Sequence, residues 1–167
     1  MFELTRGGAV HLLTLNDGRD LMDSKFFHEF DEVLGQVEAA STTDAALVLT
    51  GAVKCFSNGP SLPDVSKRPQ DELALFCATL MRHMGCLLVF PPPTVNVRTS
   101  ILEAHRDSGI EALQGSRADR LASEDDLLPH AIEKSASLAS KKREIFGQVK
   151  RALYGDLAKR LGHVRKR

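Results

Sequence analysis

The first candidate site for chemistry is a loop that follows a short apolar run. The run covers residues 45–50, contains β-branched side chains and stops at Gly51, which is typical of a buried strand. Residues 51–69 hold two glycines and three prolines and show little periodicity, so they predict a long loop. Loops at the ends of buried strands commonly hold ligands, and we therefore expect a binding site here.

A second candidate is a set of acidic residues in the middle of the chain. Glu103, Asp107 and Glu111 are spaced four residues apart and would share one face if residues 100–113 were helical. Such a face could supply a general base. A solvated acidic face is the interpretation that we favour, since a shared face alone makes no active site.

Basic residues are concentrated near the end of the sequence. The 167 residues carry 22 basic and 22 acidic side chains, yet residues 131–167 hold 11 Lys and Arg against three acids. A basic segment of this kind attracts the phosphates of a nucleotide-like ligand, nucleic acid or an acidic surface, or it is the solvated side of a helix. Nucleic acid is the disfavoured partner, because Phe146 and Tyr154 are the only aromatic residues there that could stack on bases.

The elements that must position these residues predict an α/β domain over residues 1–95. A hairpin is expected over residues 2–15, with a Gly7-Gly8 turn and His11 on a strand edge. A helix should begin near Ser24, and the strand of residues 45–50 follows it. A second helix is expected over residues 71–90, where three prolines end it before a strand at Thr94.

The rest of the sequence divides into an irregular junction over residues 96–121 and a helical segment over residues 122–167. Ser123 is the expected cap of one helix. The last helix should span about residues 141–161, with a basic face opposite an apolar stripe. The stripe consists of Ile145, Phe146, Val149, Leu153, Leu157 and Leu161.

Several features favour a cytoplasmic location. The apolar run of residues 86–90 is much shorter than the roughly 20 residues of a membrane-spanning helix, so we expect no membrane span. No basic-then-apolar secretory pattern opens the sequence, and its last residues do not match a Ser-Lys-Leu address. Cysteines at 55, 77 and 86 form no Cys-x-x-Cys pair, which fits free thiols rather than disulfides or a metal site.

Motifs in three places resemble the enoyl-CoA hydratase/isomerase (crotonase) family. Residues 45–51 are similar to its buried strand, and residues 55–62 are similar to its Phe-Ser-x-Gly-x-Asp-Leu loop. Residues 91–95 are similar to the Pro-x-Pro-x-(Ile/Val) start of its next strand. Residues 146–155 resemble the closing helices of its isomerase-like members, nearest the peroxisomal-type delta3-delta2-enoyl-CoA isomerases. The resemblance covers residues 1–95 and 122–161, and it implies a truncated crotonase-like β-β-α domain with C-terminal helices.

The resemblance implies chemistry on acyl-CoA thioesters, in which two backbone N–H groups hold an enolate-like oxygen. The loop donor of the family falls on Pro60, which has no N–H, and the family aspartate is replaced by Ser61. The coenzyme A contacts that it implies are Ser57, Asn58, Gly59 and Leu62, with Lys150 near the phosphates. Coenzyme A is thus expected as part of a substrate or ligand, with no separate cofactor.

The remaining catalytic groups of the family have no counterpart in this sequence. The second N–H donor of the family lies in a Gly-x-Ala-x-Gly-x-Gly segment, but here Val95 is followed by Asn96, Val97 and Arg98. The family glutamates belong to the same block, so we assign no catalytic residue. Losing one donor of this kind costs about 10²–10³ in rate, which predicts little or no turnover.

The leading hypothesis is therefore an enoyl-CoA hydratase/isomerase-family protein of fatty acyl-CoA metabolism that at most binds acyl-CoA. Its parent activity would be the isomerisation of enoyl-CoA double bonds in fatty acid β-oxidation. The alternatives are a non-catalytic interaction module, which forms homo-oligomers or assembles with full-length relatives, and a splice or gene-model fragment. The resemblance also leaves a peroxisomal location as an alternative to the cytoplasm.

Overall fold

A computed structural model describes residues 2–16, 21–41, 44–52, 57, 59–61, 65–95, 109–115 and 118–163. The strands are β1 (Phe2–Gly7), β2 (Val10–Leu15), β3 (Leu21–Met22), β4 (Ala46–Gly51), β5 (Gly59–Pro60) and β6 (Thr94–Val95). The helices are α1 (Ser24–Ala40), α2 (Gln70–Val89), α3 (Gly109–Gln114), α4 (Glu124–Ala139) and α5 (Arg143–Arg160). The predicted α/β class is confirmed.

The main sheet has the strand order β1-β2-β4-β6, in which only β1 is antiparallel to its neighbour. The predicted hairpin forms, and Gly8 in its turn has a φ of 60°, which glycine adopts at little cost. A second, two-stranded sheet pairs β3 with β5 in parallel. Strand β2 thus lies between β1 and β4, and both of its sides are hydrogen-bonded.

The prediction that His11 lies on a strand edge is wrong. His11 belongs to the inner strand β2, where it pairs with Arg6 on one side and Leu47 on the other, and its exposed fraction is 2%. The sequence predicted the hairpin from local residues. Local residues could not predict the pairing of β2 with β4, because the paired residues are about 36 positions apart in the sequence.

The hydrophobic core lies between one face of the sheet and α1. Leu13 and Leu15 of β2 and Leu47 and Leu49 of β4 pack there against the buried face of the helix. That face consists of Phe26, Phe27, Phe30, Leu34 and Val37. Asp23 caps this helix, since its Oδ1 accepts a hydrogen bond of 2.8 Å from Phe26 N. Helix α4 covers the opposite face, against β2, β4 and β6.

Helix α2 begins and ends within one residue of the prediction, and it packs against α1 and α5. Phe76, Leu80 and His83 are its buried side chains. By length and composition alone α2 could cross a membrane, and 22% of its most apolar stretch is buried. One helix of this kind is weak support for a membrane span, because core helices of other proteins have the same composition.

Helix α5 forms close to its predicted bounds but buries a different face from the predicted stripe. Its buried residues are Gly147 and Ala158, whereas Ile145, Val149, Leu153 and Leu157 are between 48% and 67% exposed. The physical reason is the close approach of α5 to α2, which only small side chains allow. A Cβ on Gly85 of α2 would lie 3.0 Å from the carbonyl oxygen of Ala158.

The predicted junction of residues 96–121 is only partly described. Residues 96–108, 116 and 117 lie outside the described residues, and so do Glu103 and Asp107 of the acidic set. Within the junction, the short helix α3 is present and carries Glu111 at its exposed surface. The domain limits at residues 95 and 122 stay predictions.

Candidate functional site

The candidate loop leaves the sheet at the carboxyl ends of two parallel strands. Leu15 at the end of β2 and Gly51 at the end of β4 are paired, and Ala52 N donates to the carbonyl oxygen of Leu15 at 2.9 Å. In sheets of parallel strands, ligands bind beyond these ends. The loop therefore begins at the edge of the sheet where a ligand is expected.

The far side of the loop is fixed against the segment that leads into α1. Gly59 and Pro60 form β5, which pairs with Leu21 and Met22 of β3. Ser61 N extends the pairing with a hydrogen bond of 3.3 Å to the carbonyl oxygen of Met22. Because Asp23 caps α1 directly after β3, the loop lies beside the N-terminus of that helix.

Three consecutive loop positions have no backbone N–H left for a ligand. Gly59 N donates to Ser57 Oγ at 3.0 Å, and Pro60 has no N–H. Ser61 N donates to the carbonyl oxygen of Met22. Gly59 has a φ of 81°, so the turn depends on glycine at this position. A thioester oxygen at this loop would therefore find no free backbone N–H donor among residues 59–61. Asn58 and Leu62 lie outside the described residues.

Lys150, the expected phosphate-binding residue, lies in α5 with its ammonium group held by three oxygen atoms. Nζ is 3.0 Å from the carbonyl oxygen of Phe90, 3.1 Å from that of Pro92 and 3.5 Å from Thr94 Oγ1. Since Phe90 is the C-cap of α2, the lysine lies at the negative end of that helix dipole. Burial lowers the pKa of Lys150 to about 8.

Lys150 and the candidate loop lie at opposite ends of β4. Thr94, which contacts Lys150, pairs with Leu47 near the start of the strand, whereas the loop follows Gly51. Four residues of extended strand separate the two positions by about 13 Å. The structure therefore brings Ser57, Gly59 and Pro60 together but leaves Lys150 apart from them. Binding of coenzyme A phosphates by Lys150 stays a prediction.

Arg143 makes a similar contact at the end of α1, which sequence reasoning missed. Its guanidinium group donates to the carbonyl oxygens of Glu38 and Ser41, at the C-terminus of α1. Helix α5 thus supplies one cation to the C-terminus of α1 and another, Lys150, to that of α2. The only signal in the sequence was the basic face of α5, which does not reveal the partners of each side chain.

A buried histidine joins α1 to α2. His83 is 0% exposed, and its Nε2 lies 3.0 Å from Asp31 Oδ1 while its Nδ1 lies 2.7 Å from the carbonyl oxygen of Thr79. Arg82 donates to the other carboxylate oxygen of Asp31 at 2.9 Å. Because the imidazole has no solvent access, it cannot contact a substrate. The cluster instead holds α1 against α2. The structure therefore gives His83 a packing role between α1 and α2.

A cavity of about 290 Å³ lies between α1 and α2. The Arg68 guanidinium group lies 5.0 Å from the ring centroid of Phe76 and donates to Ser24 Oγ at 3.1 Å. The lining consists of Ser24, Phe27, Arg68, Glu72, Leu75, Phe76 and Thr79. In the part of the chain that the structure describes, no group of three or more His, Cys, Asp or Glu residues could hold a metal ion.

The fold is that of solved enoyl-CoA hydratases. A probable enoyl-CoA hydratase from Mycobacterium tuberculosis has a TM-score of 0.81 and 15% identity, over 96% of this chain and 91% of that chain. An enoyl-CoA hydratase from Shewanella pealeana has a TM-score of 0.76 and 18% identity, over 98% and 82% of the two chains. An apo structure of the same Mycobacterium tuberculosis protein, described as an enoyl-CoA isomerase, has a TM-score of 0.74 and 15% identity, over 96% of this chain and 93% of that chain.

These similarities define the class of structure as a crotonase-like α/β fold, which the sequence predicted. At 14–18% identity they concern the fold and not the activity. No protein-family model matches the chain, and no curated protein matches it. The peroxisomal isomerase subtype and the missing central block stay predictions.

Proposed function

We propose that this chain is an enoyl-CoA hydratase/isomerase-family protein that binds acyl-CoA thioesters and has lost most or all of their turnover. The observation that carries this proposal is the loop of residues 59–61, which follows the paired carboxyl ends of β2 and β4 and has no available backbone N–H donor. Binding and catalysis separate here because a ligand can contact the loop while its thioester oxygen gains no stabilisation.

The parent activity in this proposal is the isomerisation of enoyl-CoA double bonds in fatty acid β-oxidation. The sequence supports the loss of activity further, since no Gly-rich segment follows Val95 and no catalytic glutamate can be assigned. The proposal names coenzyme A as part of the ligand and needs no other cofactor. It includes a cytoplasmic location, with the peroxisome as the alternative.

Thermal unfolding with and without an enoyl-CoA tests the binding step. A ligand at 100 times its dissociation constant stabilises the folded state by about 2.7 kcal/mol, which is measurable as a rise in Tm. Free coenzyme A and the matching free fatty acid are the comparison ligands. We expect a larger shift for the thioester than for either part. A cooperative transition that enoyl-CoA does not shift would contradict the proposal.

Two glycine substitutions provide a matched test of where the ligand binds. Gly59 and Gly8 both have positive φ angles and open space where a Cβ would lie, so alanine strains either turn by about 1–2 kcal/mol. Only Gly59 lies in the candidate loop. Gly59→Ala should weaken enoyl-CoA binding, whereas Gly8→Ala should lower Tm by a similar amount and leave the affinity unchanged.

A non-catalytic interaction module is the second candidate function. It is favoured by four large apolar side chains of α5 that the folded chain leaves exposed, namely Ile145, Val149, Leu153 and Leu157. This candidate predicts a cooperative unfolding transition that depends on protein concentration but not on enoyl-CoA. Assembly with full-length relatives would appear as co-migration of the two proteins.

A further inference from the structure

The cavity between α1 and α2 combines charges of both signs with apolar side chains. Its volume of about 290 Å³ is at the lower end of the range that small-molecule sites occupy. The lining comes from the first turn of α1, from one side of α2 and from the residues that lead into α2. A cavity of this size fits a small metabolite better than a whole acyl-CoA.

The positive charge of the cavity is held in a fixed position. The Arg68 guanidinium group donates to Ser24 Oγ at 3.1 Å and lies 5.0 Å from the centre of the Phe76 ring. A guanidinium group has five N–H donors in one plane, so it can bind a carboxylate while it keeps its contact with a hydroxyl group. Because Ser24 and Phe76 already orient Arg68, binding costs little further side-chain entropy.

The negative charge of the cavity belongs to Glu72 in the first turn of α2. Glu72 lines the same cavity as Arg68, and its side chain is exposed to solvent. A simple carboxylate bound by Arg68 would also meet the negative charge of Glu72. A ligand with a carboxylate and an ammonium group on the same carbon atom pairs with both residues instead. The two charges therefore favour a zwitterion over a simple anion.

The apolar part of the lining suits a large hydrophobic side chain. Phe27 and Phe76 are buried, and their rings meet edge to face with centroids 5.4 Å apart. Leu75 lines the cavity although it is 69% exposed, so the cavity opens to solvent beside it. A ring or a branched chain placed here would add an aromatic contact and remove the Leu75 side chain from water.

We propose that this cavity binds a free α-amino acid with a large apolar side chain. The carboxylate of the amino acid pairs with Arg68, and its ammonium group pairs with Glu72. Its side chain packs against Phe27, Leu75 and Phe76. A ligand without the amine loses the interaction with Glu72, and a ligand without the carboxylate loses the interaction with Arg68.

The amino-acid site is separate from the candidate loop. Ser24 begins α1 two residues after Met22, which pairs with the loop, so the cavity and the loop are neighbours. None of residues 57 and 59–61 lines the cavity. Amino-acid binding therefore requires no acyl-CoA, and its failure would leave the proposed function unchanged.

Titration of the labelled full chain, followed by NMR, tests the site with matched probes. L-Phenylalanine carries all three features of the ligand. 3-Phenylpropanoate lacks the ammonium group, 2-phenylethylamine lacks the carboxylate, and glycine lacks the apolar side chain. We expect phenylalanine to bind with a dissociation constant of about a millimolar, which is typical of a ligand of its size. The other probes should bind at least about fivefold more weakly.

Two charge variants locate the carboxylate and the ammonium group of the ligand. Arg68→Gln should weaken the binding of phenylalanine and 3-phenylpropanoate by about tenfold but should not weaken that of 2-phenylethylamine. Glu72→Gln should weaken phenylalanine and 2-phenylethylamine by about fivefold but not 3-phenylpropanoate. Lys67→Gln and Asp71→Asn are the controls, because each removes the same charge one residue away and neither residue lines the cavity. Both controls should bind phenylalanine like the wild type.

Three results would overturn the proposal. The first is the absence of spectral changes with phenylalanine well above a millimolar. The second is equal affinity for 3-phenylpropanoate and phenylalanine, which would make the site one for simple carboxylates. The third is phenylalanine binding that Glu72→Gln leaves unaltered, which would place the amino acid elsewhere. Glu72 is exposed, so this variant provides the decisive comparison even if circular dichroism shows that Arg68→Gln unfolds the chain.

Discussion

Ala158 of α5 contacts the backbone of α2 at Gly85, where a Cβ would lie 3.0 Å from the Ala158 carbonyl oxygen and 3.3 Å from its Cα. A larger residue at position 85 would collide with these backbone atoms, which cannot move aside as a flexible side chain can. Glycine at this position therefore allows the two helices to pack closely. The same contact turns the large apolar side chains of α5 away from α2. Gly85 thus allows α5 to bury the face that carries Gly147 and Ala158.

Gly85→Ala should destabilise the protein, because the added methyl group meets the backbone of Ala158. We expect a loss of about 1–3 kcal/mol in the free energy of unfolding, measured by urea denaturation. Gly35→Ala is the control, since Gly35 lies in α1 with nothing within 4 Å of a Cβ. The control should gain up to about 1 kcal/mol from the higher helix propensity of alanine. Equal effects at both positions would contradict the close approach.

Asp31→Ala should weaken the contact between α1 and α2, because it leaves Nε2 of the fully buried His83 without its carboxylate partner. Nε2 would keep only its longer contact of 3.4 Å with Arg82, and weakening the hydrogen bonding of a buried polar atom costs up to about 1–3 kcal/mol. Glu32→Ala is the control one residue away, where the lost partner is the exposed His28. That exposed pair should contribute less than about 1 kcal/mol. Chemical denaturation of the two variants makes the comparison.

His11 should make the protein less stable in mild acid. Burial, aided by the charge of Arg6, lowers the pKa of His11 in the folded state below its ordinary 6.5. The unfolded chain therefore takes up this proton first, and the free energy of unfolding decreases as the pH falls below about 6.5. His11→Leu should reduce this decrease between pH 7 and 5. His28→Leu, at an exposed histidine, should retain the wild-type slope.

Lys150 should affect stability in the same direction as His11 but at alkaline pH, because burial lowers its pKa as well. Burial lowers its pKa from 10.5 to about 8, so the unfolded chain binds more protons between these two values. Stability relative to Lys150→Met should rise with pH across that window by up to about 3 kcal/mol. Lys159→Met, at an exposed lysine of the same helix, should leave the wild-type pH dependence unchanged. If the two variants showed the same pH dependence of stability, burial would not lower the pKa of Lys150.

Local patterns predicted the elements, but they did not predict how the elements pair. The apolar spacing of α1 and its Asp23 cap are properties of consecutive residues, and both are present in the structure. The position of His11 depends on β4, which follows much later in the chain. The buried face of α5 depends on Gly147 and Ala158, which add little to a hydropathy pattern but allow the closest approach.

The sequence could predict the part of the candidate site that lies in one continuous segment. The loop and its Pro60 are visible in the sequence, and the structure adds the hydrogen bonds that use the N–H groups of Gly59 and Ser61. Those bonds involve Ser57 and Met22, and the Met22 contact crosses between strands. The roles of Lys150 and Arg143 at two helix ends required the packed arrangement of α5, because a basic face alone does not identify its acceptors.

The most direct test of the central claim is a single-turnover experiment with protein in excess over an enoyl-CoA, at a concentration where thermal unfolding shows that the thioester is bound. Chromatography follows the position of the double bond and the addition of water over time. We expect the thioester to be recovered unchanged at the rate seen in buffer, since residues 59–61 present no available N–H donor. Isomerised or hydrated product formed faster than in buffer would contradict the claim that binding has outlasted catalysis.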